Sequence, residues 1–222
     1  MTIRWPVGVL PPQNVAFDIA PRTLAGPSSV SGKTQVVSSD AGIWKATFSN
    51  VLVRNRNSIL AHRSISTLLE GRLNPILVPL CRGYQPALAE ADEYELYDRV
   101  PHSDETPFSD TSLYQGGVIS VIAREAAPVR AVSMLVDVEV AGDIQPGQHF
   151  SVEERLYRVR SFDSDSGELT FRPPLREAVE DGARLNFDDP VCRMRLASDS
   201  ELDLELAMRK WGSPTVNFIE DV

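Results

Sequence analysis

Ser31-Gly32-Lys33-Thr34 reads at first like the end of a nucleotide-binding loop. Such a loop needs G-x-x-x-x-G-K-[ST], in which the first glycine opens a nest of backbone N–H groups around the phosphates. That first position is Pro27, and Gly26 stands one residue too early. Proline also removes a donor that the nest would use. Beyond Thr34 the chain should enter a helix whose N-terminus meets the phosphate. Gln35-Val36-Val37 is instead strand-like and runs into the turn-prone string Ser-Ser-Asp-Ala-Gly. Gly32 and Lys33 therefore introduce a strand.

His102, Asp104 and Asp110 form the other string with chemical interest, as ligands for a hard or borderline cation. Pro101 to Asp110 repeats a Ser-Asp pair, which is good Asx-turn chemistry, and it supplies fewer oxygen ligands than a cation site needs. The turn reading is preferred, and a metal-dependent hydrolase built on His102 and Asp104 is the weaker rival. His62 falls on a predicted helix and His149 follows a Pro-Gly turn; neither has the third partner of a nucleophile–base pair. No two carboxylates stand out as an acid and a base. Glu153-Glu154-Arg155 reads as the tip of a hairpin. Arg172, Arg176 and Glu177 around Pro173-Pro174 read as surface salt links or as contacts with a neighbouring subunit. Cys81 and Cys192 each end an apolar run and read as small buried hydrophobes. Trp44 and Trp211 read as core aromatics, and Tyr157 is the candidate platform for a sugar. The residues point to no catalytic group and no cofactor.

A net charge of -9 and a pI near 4.9 argue against specific nucleic-acid binding. No segment has the pattern of a signal peptide or the length of a membrane anchor, so the chain is expected to fold in a cytoplasm. Sixteen prolines and thirteen glycines, with little helical periodicity, favour a mainly β protein.

The elements follow from local pattern. Val15 to Ile19 alternates as a short strand, and Ile43 to Phe48 is expected to pair with Thr34–Val37 across Asp40-Ala41-Gly42. One helix is expected near 57–70. Asn57 or Ser58 caps it, Ala61, Ile65, Leu68 and Leu69 form its apolar face, and Gly71 ends it. Residues 74–80 return as an apolar strand. Residues 90–110 are acidic and turn-rich, a connecting arm. Short apolar runs at 118–123, 132–140, 149–152, 156–162, 168–171, 183–187 and 191–196, separated by turns, indicate a small β-barrel or sandwich. Leu202, Leu204, Leu206 and Met208 alternate, and Trp211-Gly212-Ser213-Pro214 leads to a last strand, together a terminal hairpin that returns to the first sheet. The domain plan is thus a discontinuous β-sandwich domain with one packed helix (1–90 and 196–222), an acidic arm (91–112) and an inserted small β-barrel (113–195).

In this order the motifs resemble the distal tail proteins of long-tailed bacteriophages and gene transfer agents. The resemblance is carried by the N-terminal Trp5-Pro6, the SGKTQVV strand and the Trp44 strand. It continues in Leu69 to Arg72, Asn74 to Pro79, the Pro101–Asp104 and Pro107–Asp110 strings, Phe171 to Ala178, and Gly212 to Phe218. It implies a β-sandwich belt domain forming a ring, commonly hexameric, at the tail tip of a virion. A second β-domain, often a barrel of the oligosaccharide/oligonucleotide-binding kind, projects from it. Its implied partners are other copies of itself, the tail tube protein, the tail-tip hub and receptor-binding or fibre proteins. The resemblance carries no catalytic residues.

Physical reasoning adds to this expectation. A heterologous interface closes into a ring when its rotation allows, and edge strands and extended arms suit such an interface. Glu93, Glu95 and Asp98 in the acidic arm are candidates to keep a passing genome from sticking by like-charge repulsion. The leading expectation is a structural virion protein. A carbohydrate-binding adsorption module carried by the inserted barrel is the alternative.

Overall fold

The computed structural model describes the chain apart from residues 1, 29–30, 33, 81–98, 101–113, 116–118 and 209. The protein is mainly β, with a single α-helix among the described residues. In chain order its elements are β1 (Ile3–Arg4), β2 (Asn14–Ser28), β3 (Thr34–Ser49), α1 (Arg56–Leu69), β4 (Ile76–Pro79), β5 (Arg99–Val100) and β6 (Tyr114–Gln115). They continue with β7 (Ser120–Ala123), β8 (Ser133–Val140), β9 (His149–Val152), β10 (Arg155–Asp163), β11 (Glu168–Arg172), β12 (Arg184–Leu185), β13 (Val191–Leu196) and β14 (Val216–Glu220). Two compact units result: Met1–Pro79 with Cys192–Val222, and Leu80–Val191.

The first unit is a six-stranded sheet in the order β1-β4-β13-β14-β3-β2. Alternation along β3 buries Trp44, Ala46 and Phe48, and along β14 it buries Val216, Phe218 and Glu220. Trp5, Phe48 and Phe218 meet edge to face with ring centroids 5.5–5.8 Å apart, an arrangement that aromatic quadrupoles favour.

Two local expectations change here. Thr34–Val37 and Ile43–Phe48 do not pair with each other; they are one continuous strand, β3, whose partner is β2 from Asn14↔Ser49 to Ser28↔Thr34. The Ser-Ser-Asp-Ala-Gly string forms a bulge instead of a turn: between Ala20↔Ile43 and Arg22↔Ser39 the register slips, with the extra residues on β3. Gly42 permits this, because a Cβ there would meet Ile19 Cγ2 at 2.5 Å. The segment from Leu202 to Met208 is not a strand; Leu202 is buried while Met208 is 84% exposed. Both long edges of β14 are already taken by β13 and β3, so the alternating segment has no ladder to join there.

Helix α1 starts one residue after its cap, Asn55, and not at Asn57 or Ser58. The Asn55 side chain accepts from the Ser58 N–H at 2.8 Å, and the Ser58 hydroxyl accepts from the Asn55 N–H at 3.0 Å, a reciprocal capping box. The buried face is Ser58, His62, Ile65 and Leu69, so Leu68 turns outward and stays half exposed. Glu70 and Gly71 end the helix in the left-handed region.

The second unit holds a six-stranded sheet ordered β12-β7-β8-β11-β10-β9, all of whose described pairings are antiparallel. The isolated bridge Ser151↔Asn186 nearly closes it into a barrel, with N–H···O distances of 3.0 and 2.8 Å. Glu153 and Glu154 make the tight β9–β10 turn, with Glu153 at φ 51°. Phe150, Tyr157, Phe171 and Phe187 fill the interior, together with Val121, Val136, Leu169 and Leu185. The run 191–196 does not belong to this barrel: β13 pairs antiparallel with β14, from Met194↔Glu220 to Leu196↔Phe218. An apolar run of six residues suits either sheet, and only its partner decides between them.

Candidate functional site

The long β2–β3 hairpin is the most conspicuous surface feature of the first unit. Strand β14 lies beside β3 only from Val216↔Phe48 to Ile219↔Lys45. From Trp44 to Thr34 the described ladder of β3 is with β2 alone, a ribbon on the order of 35 Å long. Leu24 pairs with Val37 and Ala25 with Val36, and Leu24, Val36 and Val37 are each more than half exposed. Two-stranded ribbons are marginal in water, and exposed apolar ribbon edges are templates for another chain. Gly32, with φ +77°, lies in the loop that joins the two strands.

In the barrel, Tyr157 cannot be a sugar platform. It is 1% exposed, its ring packs against Phe150 and Phe171, and its hydroxyl accepts the Arg176 N–H at 3.1 Å. Its neighbour on the opposite face of β10, Leu156, is buried as well, so alternation alone does not set the facing of Tyr157. Arg172 donates to the Phe171 carbonyl at 3.0 Å. Glu177 pairs with Arg155 at 2.8 Å beside a cleft of about 460 Å³ that Glu153 and Arg184 also line. The three residues expected to act around Pro173-Pro174 therefore serve this unit's own surface in part.

The remaining sequence candidates divide. Lys33, Cys81, Glu93, Glu95, Asp98, His102, Asp104 and Asp110 lie outside the described residues. Cys192 is buried on β13. His62 is buried in the first unit with neither ring nitrogen hydrogen-bonded, and burial holds its pKa below the ordinary histidine value. His149 is buried on β9, where its Nε2 accepts from Arg158 Nε at 2.9 Å. Among the described residues no three His, Cys, Asp or Glu side chains converge as metal ligands.

Trp211 overturns its expected place in the core: it is 53% exposed. It forms the shared wall of two clefts in the first unit. One, of about 440 Å³, is lined by Glu201, Asp203 and Glu205 among others; the second, of about 590 Å³, by Gln13, Asn50, Leu52 and Arg54. Hydrogen bonds tie Trp211 and Gly212 to neighbouring residues of the first unit. Ala207 and Trp211 bridge with a 2.8 Å N–H···O contact, and Gly212 exchanges hydrogen bonds of 2.9 and 3.1 Å with Val53. Gly212 is needed because a Cβ there would meet the Glu205 carbonyl oxygen at 2.6 Å. The signal for exposure was the Gly-Ser-Pro that follows Trp211, which places the indole at a surface turn. No model of a known protein family matches the chain, and no curated protein matches it.

Proposed function

We propose that the protein is a structural subunit of a phage-type tail tip, a ring former that joins the tail tube to the hub and the receptor-binding apparatus. It works by oligomerisation and docking and makes no bonds of its own. The observation that carries this reading is the β2–β3 ribbon with exposed Leu24, Val36 and Val37. A ribbon of that length stabilises the chain little until it lies against something, and a neighbouring copy in a closed ring is the partner it fits. The order of sequence motifs supplies the assignment to a tail tip.

The test is the mass of the purified protein, alone and with a tail tube protein and hub from the same genome, together with negative-stain imaging. Closed rings are expected, and changing Leu24, Val36 and Val37 together to serine is expected to abolish them while the melting transition is kept. A protein that stays monomeric with both partners present, or whose rings survive the triple change, overturns the reading.

A further inference from the structure

We propose that the outward face of helix α1 is a dock for the acidic segment 90–98 of a second copy of this chain. Leu60, Ser64 and Leu68 follow i, i+4, i+8 and form one exposed row, and Arg56, Arg63 and Thr67 form the row beside it. Leu60 and Leu68 are each about half exposed, and Leu73, just beyond the helix, is 62% exposed. Ser58, His62, Ile65 and Leu69 make the buried face on the opposite side, so the outward rows take no part in the core.

The charge of this face points to an anionic occupant. Residues 54–73 carry four arginines and one glutamate in a chain of net charge -9. Arg72 pairs with Asp199 at 3.6 Å, whereas Arg54, Arg56 and Arg63 have no carboxylate partner among the described residues. Arg54 and Arg56 flank the cap Asn55, at the helix end where the backbone dipole is already positive. Cations there oppose the helix that carries them, and a docked anion reverses that cost.

The chain itself contains a segment of matching chemistry. Glu90, Asp92, Glu93, Glu95 and Asp98 stand there without any basic residue, and Tyr94, Leu96 and Tyr97 are interleaved with them. The carboxylates answer the arginines, and the apolar side chains answer the leucine row. A nucleic acid would use the arginines, leave the leucines in water and meet repulsion from the rest of an acidic chain. A segment offered by one copy and received by the next is a heterologous contact. Such docking rests on the self-association proposed above, and not on closure of a ring.

Sedimentation velocity of the full-length protein over a range of concentrations, at low and high salt, reads the contact. Association of the parent is expected to weaken as salt rises. Arg56→Glu with Arg63→Glu, and separately Glu93→Lys with Glu95→Lys, are each expected to weaken it about tenfold or more. An equimolar mixture of the two variants is expected to restore it, because each offers the charge that the other lacks. The helix variant should melt no lower than the parent, since a glutamate in place of Arg56 suits the helix dipole. In parallel, a labelled peptide of residues 90–98, acetylated and amidated, is titrated by fluorescence anisotropy. Its counterpart with Tyr94, Leu96 and Tyr97 changed to serine, and a single-stranded DNA of equal charge, are the controls. Only the native peptide is expected to saturate, and the helix variant should bind it about tenfold more weakly. Association that neither charge reversal alters overturns this docking and leaves the ring reading standing. A mixture that fails to recover places the segment on its own chain, and DNA binding in place of peptide binding assigns the face to a polyanion; either overturns the proposal. Association rescued in the mixture without closed rings supports the docking and overturns the ring alone.

Discussion

The Trp44 N–H donates to a carboxylate oxygen of Glu220 at 3.0 Å, although 176 residues separate the two in the chain. Both residues are buried, and next to them Lys45 pairs with Ile219 across the β3–β14 ladder. The third residue from the end thus completes the hydrogen bonding of a strand laid down near the start. Residues 44 and 220 thus tie β3 to β14 within the first unit.

Glu220→Ala should therefore destabilise the first unit by about 1–3 kcal/mol, because it removes the carboxylate acceptor of a buried N–H. Glu220→Gln keeps an acceptor and should cost less. All three tryptophans belong to the first unit, so urea unfolding followed by tryptophan emission isolates the effect. Equal midpoints for Glu220→Ala and the parent would show that the bond carries no stability.

Local pattern made the class of fold legible, and the alternation of Trp44, Ala46 and Phe48 announced one buried sheet face. Pairing was legible only where chemistry was local, as at the Glu153-Glu154 turn. The bulge at residues 40–42 looked like a turn because Ser, Asp and Gly serve both; only the facing strand β2 distinguishes the two. The membership of β13 depended on Phe218 and Glu220, more than twenty residues away. Trp211 misled for a related reason. Aromatic burial is an average over sites, and here the Gly-Ser-Pro turn outweighed it.

His62 makes acid stability testable. Its imidazole is buried without a hydrogen-bond partner, so its folded pKa lies below the unfolded value near 6.5. The stability of the neutral form is fully present above about pH 6.5. It falls as the pH drops below that value, because the unfolded chain takes up a proton that the folded one refuses. Each pH unit inside the window costs at most about 1.4 kcal/mol. His62→Leu should flatten the pH dependence of the urea midpoint between pH 6.5 and 5 and raise it at the acid end. An unchanged slope would place the titration elsewhere.

Asp221 acts in a lower window. Burial pushes its carboxyl up, but hydrogen bonds from Arg195 at 2.6 Å and Arg193 at 2.8 Å, with their charges, outweigh burial and hold it below the ordinary value. A depressed folded pKa gives stability that is present above the unfolded value near 3.8 and lost as the pH falls through the folded one. Asp221→Asn should cost on the order of 1 kcal/mol at neutral pH, given the partial exposure of both arginines. The gap between parent and variant should narrow below pH 4. A gap that is constant from pH 7 to 3 would mean that the pair adds packing and no charge interaction.

Tyr157 separates an architectural role from a recognition role in the barrel. Its ring sits among Phe150 and Phe171, and its hydroxyl serves the Arg176 N–H. Tyr157→Phe removes one hydrogen bond and should cost about 1 kcal/mol. Tyr157→Ala opens a cavity in the same core and should cost about 3–5 kcal/mol. The second unit contains no tryptophan, so circular dichroism should register both losses while the tryptophan transition of the first unit stays in place. A Tyr157→Ala protein that kept the parent's stability would return the residue to the surface, and with it the case for a sugar site on this barrel.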